Sequence, residues 1–299
     1  MPAPVSCATV PDVPALRPLL IVTPHASGHV PQDVLGEMLG EARHDLEARR
    51  SRLTRLFQQG DPYTDVIFDL PDAHALHATV SRFVVDLNRR RDQRGPNGVV
   101  KLTDFDGTPL YAHGTPPDEA RVEDRLQRYW DGFHAEVGRT VRQHGIELLI
   151  DGHSMTPVGP SLGPDGGAVR PALTLMTGGD EDGEPDGERP PTVDPVLARA
   201  LRGAAERAFA PVLREAEHEA PPHAVLNRPW SADEVAYASA PSAGIPAFGL
   251  EINRALYLEP GEDGERPRAE RIRALNACFA ALAAEALALV RERRENVGG

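Results

Sequence analysis

The feature that most constrains the fold of this chain is the segment 147–155, ELLIDGHSM, in which an apolar run stops at Asp151, Gly152 and His153. An unbroken apolar run bounded by polar residues is typical of a buried strand in a parallel sheet. Such strands present functional side chains at their carboxyl ends. The pattern predicts His153 at a functional edge of the sheet, although a hydrogen-bonded core or rim position is the commoner explanation for one histidine.

Two other apolar runs have the same form. The segment 19–28, LLIVTPHASG, is broken by His25, and the segment 247–253, AFGLEIN, carries Glu251. The carboxyl ends of neighbouring parallel strands meet at one edge of a sheet, so these side chains can converge there with His153. Two histidines and a carboxylate are what a catalytic zinc site needs.

The length of 299 residues allows one large α/β domain or two small ones, and no repeat or interdomain linker is apparent. We therefore predict a single domain over 1–299, with an irregular lead-in at 1–17 and a loop insert rich in glycine, proline and acids at 156–192. A long helical pattern leads into the run at 147, which predicts a βαβ crossover. The predicted strands are 18–23, 80–87, 147–153, 169–176, 224–230 and 247–253, and the longer predicted helices are 41–59, 117–144, 194–218 and 267–294.

The composition excludes several classes of protein. A net charge of −13 argues against a nucleic-acid partner and against an anionic membrane surface. Cys7 and Cys278 are too few for a disulfide scaffold or a cysteine zinc site, and Lys101, the single lysine, leaves little scope for a catalytic lysine. The N-terminus lacks a signal-peptide pattern and no apolar run approaches the roughly 20 residues of a membrane helix. We expect a cytoplasmic protein.

Several residues allow two interpretations at this stage. Asp61 precedes a proline and suits an N-cap, while His74 and His77 fall in a polar connection where solvated loop residues are expected. Arg89 follows the end of the predicted strand 80–87, where a guanidinium can clamp a substrate carboxylate, and the alternative is a solvated run of arginines at 89–91. The acids at 180–184 lack the alternation of a calcium loop, which favours a solvated loop.

Taken together, the motifs resemble the N-formylglutamate amidohydrolase family, which is related to zinc carboxypeptidases. They occur in the family's order and cover most of the chain. They are TPHASG at 23–28, DPYTD at 61–65, SRFVVDLNR at 81–89, PLY at 109–111, YW at 129–130, DGHSM at 151–155 and LEINR at 250–254. The resemblance implies a three-layer α/β fold with a mostly parallel or mixed central sheet, helices on both faces and one zinc ion per chain at the carboxyl ends of the strands.

The resemblance also implies a ligand set. Carboxypeptidases have a glutamate three residues after the first histidine, but here that position is Gly28. Asp61 matches the family's recurring acid in the next motif, with Asp65 as the fallback. His25, Asp61 and His153 would then hold the zinc ion and leave a fourth position for water.

Further roles follow from the chemistry of the residues and, for the last pair, from the resemblance. Glu251 corresponds to the general base that takes the proton of the water and later protonates the leaving amine. Arg82 or Arg254 would help to hold the oxyanion. Asn88 and Arg89 resemble the pair that grips the substrate's α-carboxylate in carboxypeptidases.

Asp151 is a further candidate residue, for the role of orienting the ring of His153.

The chain departs from the family at two places. Residues 230–234 replace a stretch of small residues, and the insert at 156–192 is more acidic than expected, so an acidic rim would repel a dicarboxylate substrate. We therefore predict a zinc amidohydrolase that cleaves a formyl or another small acyl group from an amino acid. The alternatives are a peptide or peptidoglycan amidase on the same site and a binding module without turnover. A serine hydrolase is disfavoured because Ser154 lacks the Gly-x-Ser-x-Gly elbow.

Overall fold

The centre of the molecule is a six-stranded mixed sheet. The computed structural model describes residues 16–112, 116–187, 189–215, 222–231, 233–262 and 264–298; most of the predicted lead-in lies outside them. The strand order is β2-β1-β3-β6-β4-β5, and every neighbouring pair is parallel except β4 with β6. The strands are β1 Leu19–Thr23, β2 His74–His77, β3 Leu148–Met155, β4 Leu173–Met176, β5 Ala224–Leu226 and β6 Ala247–Asn253, and a separate hairpin pairs β7 Leu258–Gly261 with β8 Gly264–Pro267.

Helices cover both faces of the sheet, as predicted. Leu19 and Ile21 of β1 face one apolar cluster with α6 and α8, whereas Leu20 and Val22 face another with α5 and α7. Because both faces are buried, the strands are continuously apolar. The helices are α1 Gln32–Leu39, α2 Leu46–Gln59, α3 Thr64–Ile67, α4 Glu119–Arg125, α5 Gly132–Gln143, α6 Pro195–Glu215, α7 Glu234–Ala243 and α8 Ala269–Gly298.

The long helix predicted at 117–144 is present, but it is not regular throughout. A π-helical segment, Leu126–Asp131, joins α4 to α5. The helix then feeds β3, which pairs in parallel with β1, so the predicted βαβ crossover is confirmed. A π segment widens one turn of a helix and is often found near functional sites. Here Trp130, within it, donates a hydrogen bond from Nε1 to the carbonyl oxygen of Arg89 at 3.0 Å and so ties this helix to the loop that carries Arg89.

Two sequence predictions about the strands are wrong. Residues 80–87 are buried, but they form turns instead of a strand, with the backbone of Val84 bonded to Ser81. Their apolar side chains pack in a separate cluster under α1 and α2, so burial produced a strand-like pattern without a sheet. His74 and His77 were expected in a loop, but they begin and end β2, a short edge strand whose polar composition hides it.

The C-terminal helix passes a length and composition test for a membrane span over Ala269–Asn296, which the sequence analysis did not anticipate. In this structure α8 packs on α6 and α3, and its residues Leu275, Phe279 and Leu282 are fully buried in the core. A mostly apolar helix that covers a sheet in a soluble domain has the same character.

The glycine between Asp151 and His153 has a packing role. A Cβ atom on Gly152 would lie 2.4 Å from the ring of Phe68, which is fully buried against β3. The close approach of this ring requires a residue without a side chain at position 152.

We expect Gly152→Ala to lower the free energy of unfolding by about 1–3 kcal/mol, because the added methyl group must displace Phe68. Chemical denaturation measures the change. Gly36→Ala is the matched control: it lies within α1 with no atom near the added Cβ and is expected to be neutral or stabilising. Equal stability of the Gly152→Ala and wild-type proteins would contradict this packing argument.

Candidate metal and active site

His25, Asp61 and His153 meet at the carboxyl edge of the sheet. His25 follows β1, Asp61 follows α2, and His153 lies within β3. One Asp61 oxygen, Oδ2, is 3.4 Å from His25 Nδ1 and 3.1 Å from His153 Nδ1. All three side chains are buried, and a ligand atom of each lies within 4.8 Å of the others. The three residues that the sequence analysis named as ligands are therefore brought together.

The backbone around Asp61 fixes its carboxylate in this position. Its amide donates to the carbonyl oxygen of His25 at 3.1 Å, and the Ser154 amide donates to Asp61 Oδ2 at 3.3 Å. The N-cap residue of α3 is Tyr63, and no side chain, that of Asp61 included, makes a cap hydrogen bond there. The alternative interpretation of Asp61 as an N-cap is wrong. Asp65, the fallback ligand, lies exposed on α3 and outside the cluster.

The nitrogen atoms of His25 fit a metal ligand. Nε2 lies 2.7 Å from Asp86 Oδ1, and since a carboxylate only accepts, Nε2 carries the proton. Nδ1 has no hydrogen-bond partner although it is buried and faces Asp61. Burial and the charge of Arg82 lower the pKa of His25, which favours the neutral ring. A buried lone pair facing a carboxylate is an arrangement that a cation between them would stabilise.

His153 is flanked by carboxylates on both sides. Its Nε2 lies 3.1 Å from Asp151 Oδ2, 3.7 Å from Asp233 Oδ2 and 3.2 Å from Asn88 Nδ2. Burial lowers the pKa of His153, but the negative charge of Asp151 and the close carboxylates of Asp233 and Asp61 outweigh it and hold the pKa well above the ordinary value. Either a proton on Nδ1 of His153 or a metal ion bound to that nitrogen would balance the charge of the Asp61 carboxylate. Metal binding would therefore displace the proton.

A second group of potential ligands, Asp151, His153 and Asp233, shares His153 with the first. Burial and the neighbouring charge of Asp233 raise the pKa of Asp151 well above its ordinary value, which favours the protonated form of this carboxyl group. Neither acid lines the cavity described below, whereas all three members of the first group do. Asp151 and Asp233 lie near Nε2 of His153, on the other side of the ring from Asp61, where such acids orient a histidine.

Asp86 is the centre of a buried ion cluster that the sequence analysis did not identify. It contacts His25, accepts from Arg82 at 2.9 Å and lies 2.9 Å from Lys101 Nζ. Burial raises the pKa of Asp86, but the charges of Arg82 and Lys101 outweigh it and keep the pKa well below the ordinary value. Burial lowers the pKa of Lys101 to about 7, against the opposing effect of Asp86. The single lysine of the chain is therefore part of the site as an ion-pair partner.

A cavity of about 340 Å³ opens beside the ligand group. Glu251 faces it, and the parallel register of β3 and β6 puts Glu251 directly beside His153. Its Oε2 atom is buried without a hydrogen-bond partner. Burial raises the pKa of Glu251 to about 7, which suits a group that accepts and returns a proton near neutral pH.

Asn88 bridges two elements of the site. Its Nδ2 contacts His153, while its Oδ1 accepts from the Glu234 amide at 2.6 Å and the Val235 amide at 3.2 Å, at the start of α7. The amide side chain is fully engaged with the protein, so its role in the structure is to position His153 and α7. Its predicted contact with substrate remains a prediction.

Four arginines line the cavity, and three of them have carboxylate partners. Arg82 binds Asp86 and lies 3.4 Å from Asp61, and Arg254 lies 3.4 Å from Asp61 and donates to the carbonyl oxygens of Gln58 and Gly60. Arg170, which the sequence analysis missed, binds both oxygens of Asp165 at 2.7 Å and lies over the Trp230 ring. Arg89 has no carboxylate partner within the described parts of the chain, where its one bond runs to the Asn88 carbonyl.

The fold and the buried site define an α/β protein with a cluster of ionisable side chains beside a cavity at the carboxyl edge of its strands. The family model described as N-formylglutamate amidohydrolase matches residues 17–258. The chain therefore belongs to the N-formylglutamate amidohydrolase family, and it is a hydrolase of amide bonds.

Individual proteins agree with this assignment. The chain is 28% identical over 254 residues to an N-formylglutamate deformylase of Pseudomonas putida, which covers 82% of this chain and 83% of that protein. It is 31% identical over 154 residues to an N-formylglutamate deformylase of Pseudomonas aeruginosa, covering 48% and 54%. The crystal structure of N-formylglutamate amidohydrolase from Ralstonia eutropha JMP134 superimposes with a TM-score of 0.63 at 21% identity, covering 96% of this chain and 97% of that chain.

We expect Lys101→Met to lower the free energy of unfolding by about 3–5 kcal/mol, because it leaves the buried charge of Asp86 without one of its two cations. Denaturant unfolding measures this. Arg90→Met removes a cation from the exposed pair of Arg90 with Asp92 and should leave the unfolding midpoint unchanged. An equal loss of unfolding free energy in both variants would contradict the argument that burial of the Asp86 cluster causes the effect.

Proposed function

We propose that this chain is a zinc-dependent amidohydrolase that removes a formyl or another small acyl group from an amino acid. The observation that carries the proposal is the buried triangle of His25, Asp61 and His153 next to the unpartnered carboxylate of Glu251, all facing one cavity. Three ligands from histidine and carboxylate side chains are typical of catalytic zinc sites. Family membership supports the amide substrate.

Zinc bound by these three residues would supply Lewis-acid polarisation and a more acidic water. The unprotonated Glu251 takes a proton from the attacking water at Oε2. When the amide C–N bond breaks, Glu251 returns this proton to the amine nitrogen, so that formate and a free amino acid leave. Arg82 lies at the cavity wall near Asp61, where we assign it to the oxygen that becomes negative as water adds.

We assign Arg89 to the α-carboxylate of the substrate. It is the arginine in the cavity lining that has no carboxylate partner among the described residues, and a guanidinium can bind a carboxylate through two parallel hydrogen bonds. Trp130 fixes its backbone by bonding to its carbonyl oxygen. Asn88 and Arg254 complete the predicted substrate-binding set, although their bonds within the protein point to a positioning role.

The volume of the cavity favours an amino-acid-sized substrate. About 340 Å³ is at the small end of sites for small molecules, which makes a peptidoglycan or long peptide substrate less suitable. A single domain, a cytoplasmic location and the absence of a nucleic-acid or membrane partner remain predictions from the sequence.

The proposal predicts about one zinc ion per chain and release of formate from an N-formyl amino acid that a chelator abolishes. Metal content by mass spectrometry and a formate assay test both parts.

Glu251→Gln should keep the zinc and lower kcat by about 10²–10⁴, because the base is lost. His153→Ala should lose the zinc. Glu47→Gln, exposed on α2, is the control and should behave as wild type. Full activity of Glu251→Gln would remove this glutamate from the mechanism.

Arg89→Ala should raise KM for substrates with a free α-carboxylate by about 10- to 100-fold, the loss expected for charge-assisted hydrogen bonds. Steady-state kinetics on an N-formyl amino acid and on its α-carboxamide analogue measure this, and the amide should be little affected. Arg90→Ala, at the exposed neighbouring position, is the control. An equal loss on both substrates would mean that Arg89 does not bind the carboxylate.

A further inference from the structure

The charges around the cavity bear on which amino acid the substrate contains. N-formylglutamate, the compound in the names of the related proteins, carries two carboxylates, and each needs a cation or hydrogen-bond donors when it leaves water. Arg89 provides for one of them. The question is whether the described part of the chain offers a second cation.

The other three arginines of the cavity are already occupied. Arg170 is 3% exposed, with Asp165 along one edge, Thr156 at a third nitrogen and Trp230 against its face. Arg82 and Arg254 are held by acids and by backbone carbonyl oxygens. Arg82 is also assigned to the reacting oxygen, and moving any of the three guanidinium groups onto a side-chain carboxylate of the substrate would leave a buried acid or carbonyl oxygen unpaired, which is costly.

Apart from the four arginines and the two histidines of the ligand group, the ionisable residues at the cavity are acids. Glu265 of β8 faces the cavity and has no ion-pair partner in the described ranges, while Asp106 is paired with Arg55 at 3.1 Å. A second substrate carboxylate would meet the negative charge of Glu265 instead of a cation. The acids at 180–186 take no part: they do not line the cavity, and Glu184 is paired with Arg199. The expectation of an acidic rim therefore applies to Glu265 and not to the insert.

The uncharged part of the wall is mixed: Gln59, Asn97, Ser154 and Thr156 are polar, and an apolar part is built in part by the hairpin-like loop 156–170. This loop is held by bonds from Gly159 to Ala168 and from Arg170 to Pro157. It places Leu162 at the cavity, against Gly107 on the far side, with 63% of Leu162 still exposed. Phe105, Met176 and Trp230 also line the cavity. An apolar ligand group would cover this surface.

On the basis of the proposed function, we infer that this site selects an N-acyl amino acid with a single carboxylate and an uncharged, apolar side chain, and that it discriminates against glutamate. Arg89 takes the α-carboxylate, and the side chain lies against Leu162 and its apolar neighbours. The negative charge of Glu265 and the lack of an unpaired second cation among the described residues act against a second carboxylate.

The test compares kcat/KM of the zinc-loaded protein for the N-formyl derivatives of L-glutamate, L-glutamine, L-leucine and L-methionine. Glutamine matches glutamate in size and differs in charge, so this pair isolates the electrostatic effect. We expect glutamine to exceed glutamate by at least about 10-fold, since a carboxylate that leaves water without a cation partner is strongly disfavoured. Leucine and methionine should be at least as good as glutamine.

Two variants tie the selectivity to the named residues. Glu265→Gln should lower the ratio of glutamine to glutamate by at least about threefold, because it removes the repulsion. Leu162→Ala should lower kcat/KM for leucine more than for glutamine. Val196→Ala, an exposed apolar position on α6 away from the cavity, is the matched control and should leave both ratios unchanged.

A preference for glutamate over glutamine would overturn the inference and leave the proposed function intact. No turnover of any of the four compounds by the zinc-loaded protein would contradict the proposed function and, with it, the inference. An unchanged ratio in Glu265→Gln, together with a preference for glutamine, would overturn the role of Glu265.

Discussion

The parallel pairing of β1, β3 and β6 is the constraint on which the site depends. This pairing brings the end of β1, which leads to His25, next to β3, and it puts His153 of β3 opposite Glu251 of β6. A shift of one residue in either pairing would turn these side chains to the other face of the sheet. Leu19 and Ile21 of β1 face one helical layer and Leu20 and Val22 face the other, so the same burial that forms the core also places His153 beside Glu251.

Buried charged groups are concentrated at this edge of the sheet, and neighbouring side chains balance their charges. Asp61 lies between the two histidines and near Arg82 and Arg254. Asp86 supports His25 from behind and is neutralised by Arg82 and Lys101. Asp151 and Asp233 support His153 in the same way. Each histidine therefore has one nitrogen that faces Asp61 and one that is held by an acid on the opposite side, which fixes the orientation of both rings.

The parts of the site that could be predicted from the sequence are those marked by a local sequence pattern. The strands β1, β3 and β6 are recognisable because burial on both faces makes them continuously apolar, and the polar residues that interrupt them gave His25, His153 and Glu251. Residues 80–87 misled the prediction, since a buried loop with turns has the same composition as a buried strand. Asp233 and Arg170 come from distant loops with no local signal, and only packing on β3 and on Trp230 gives them a role. The resemblance to a family supplied Asp61, for which the local pattern favoured an N-cap.

The composition of the chain and the position of Lys101, its single lysine, lead to different conclusions about the role of this residue. Wherever else this chain needs a cation it uses arginine, yet at the fully buried position beside Asp86 it has Lys101. Asp86 already binds the guanidinium of Arg82 and the imidazole of His25. An ammonium group is a compact point charge that fits into the remaining space and bonds to Asn97 at the same time, whereas a second planar guanidinium would need room for a fork of donors. The scarcity of lysine argued against a catalytic lysine, but it gave no indication that the one lysine present would help to hold the acid that orients His25.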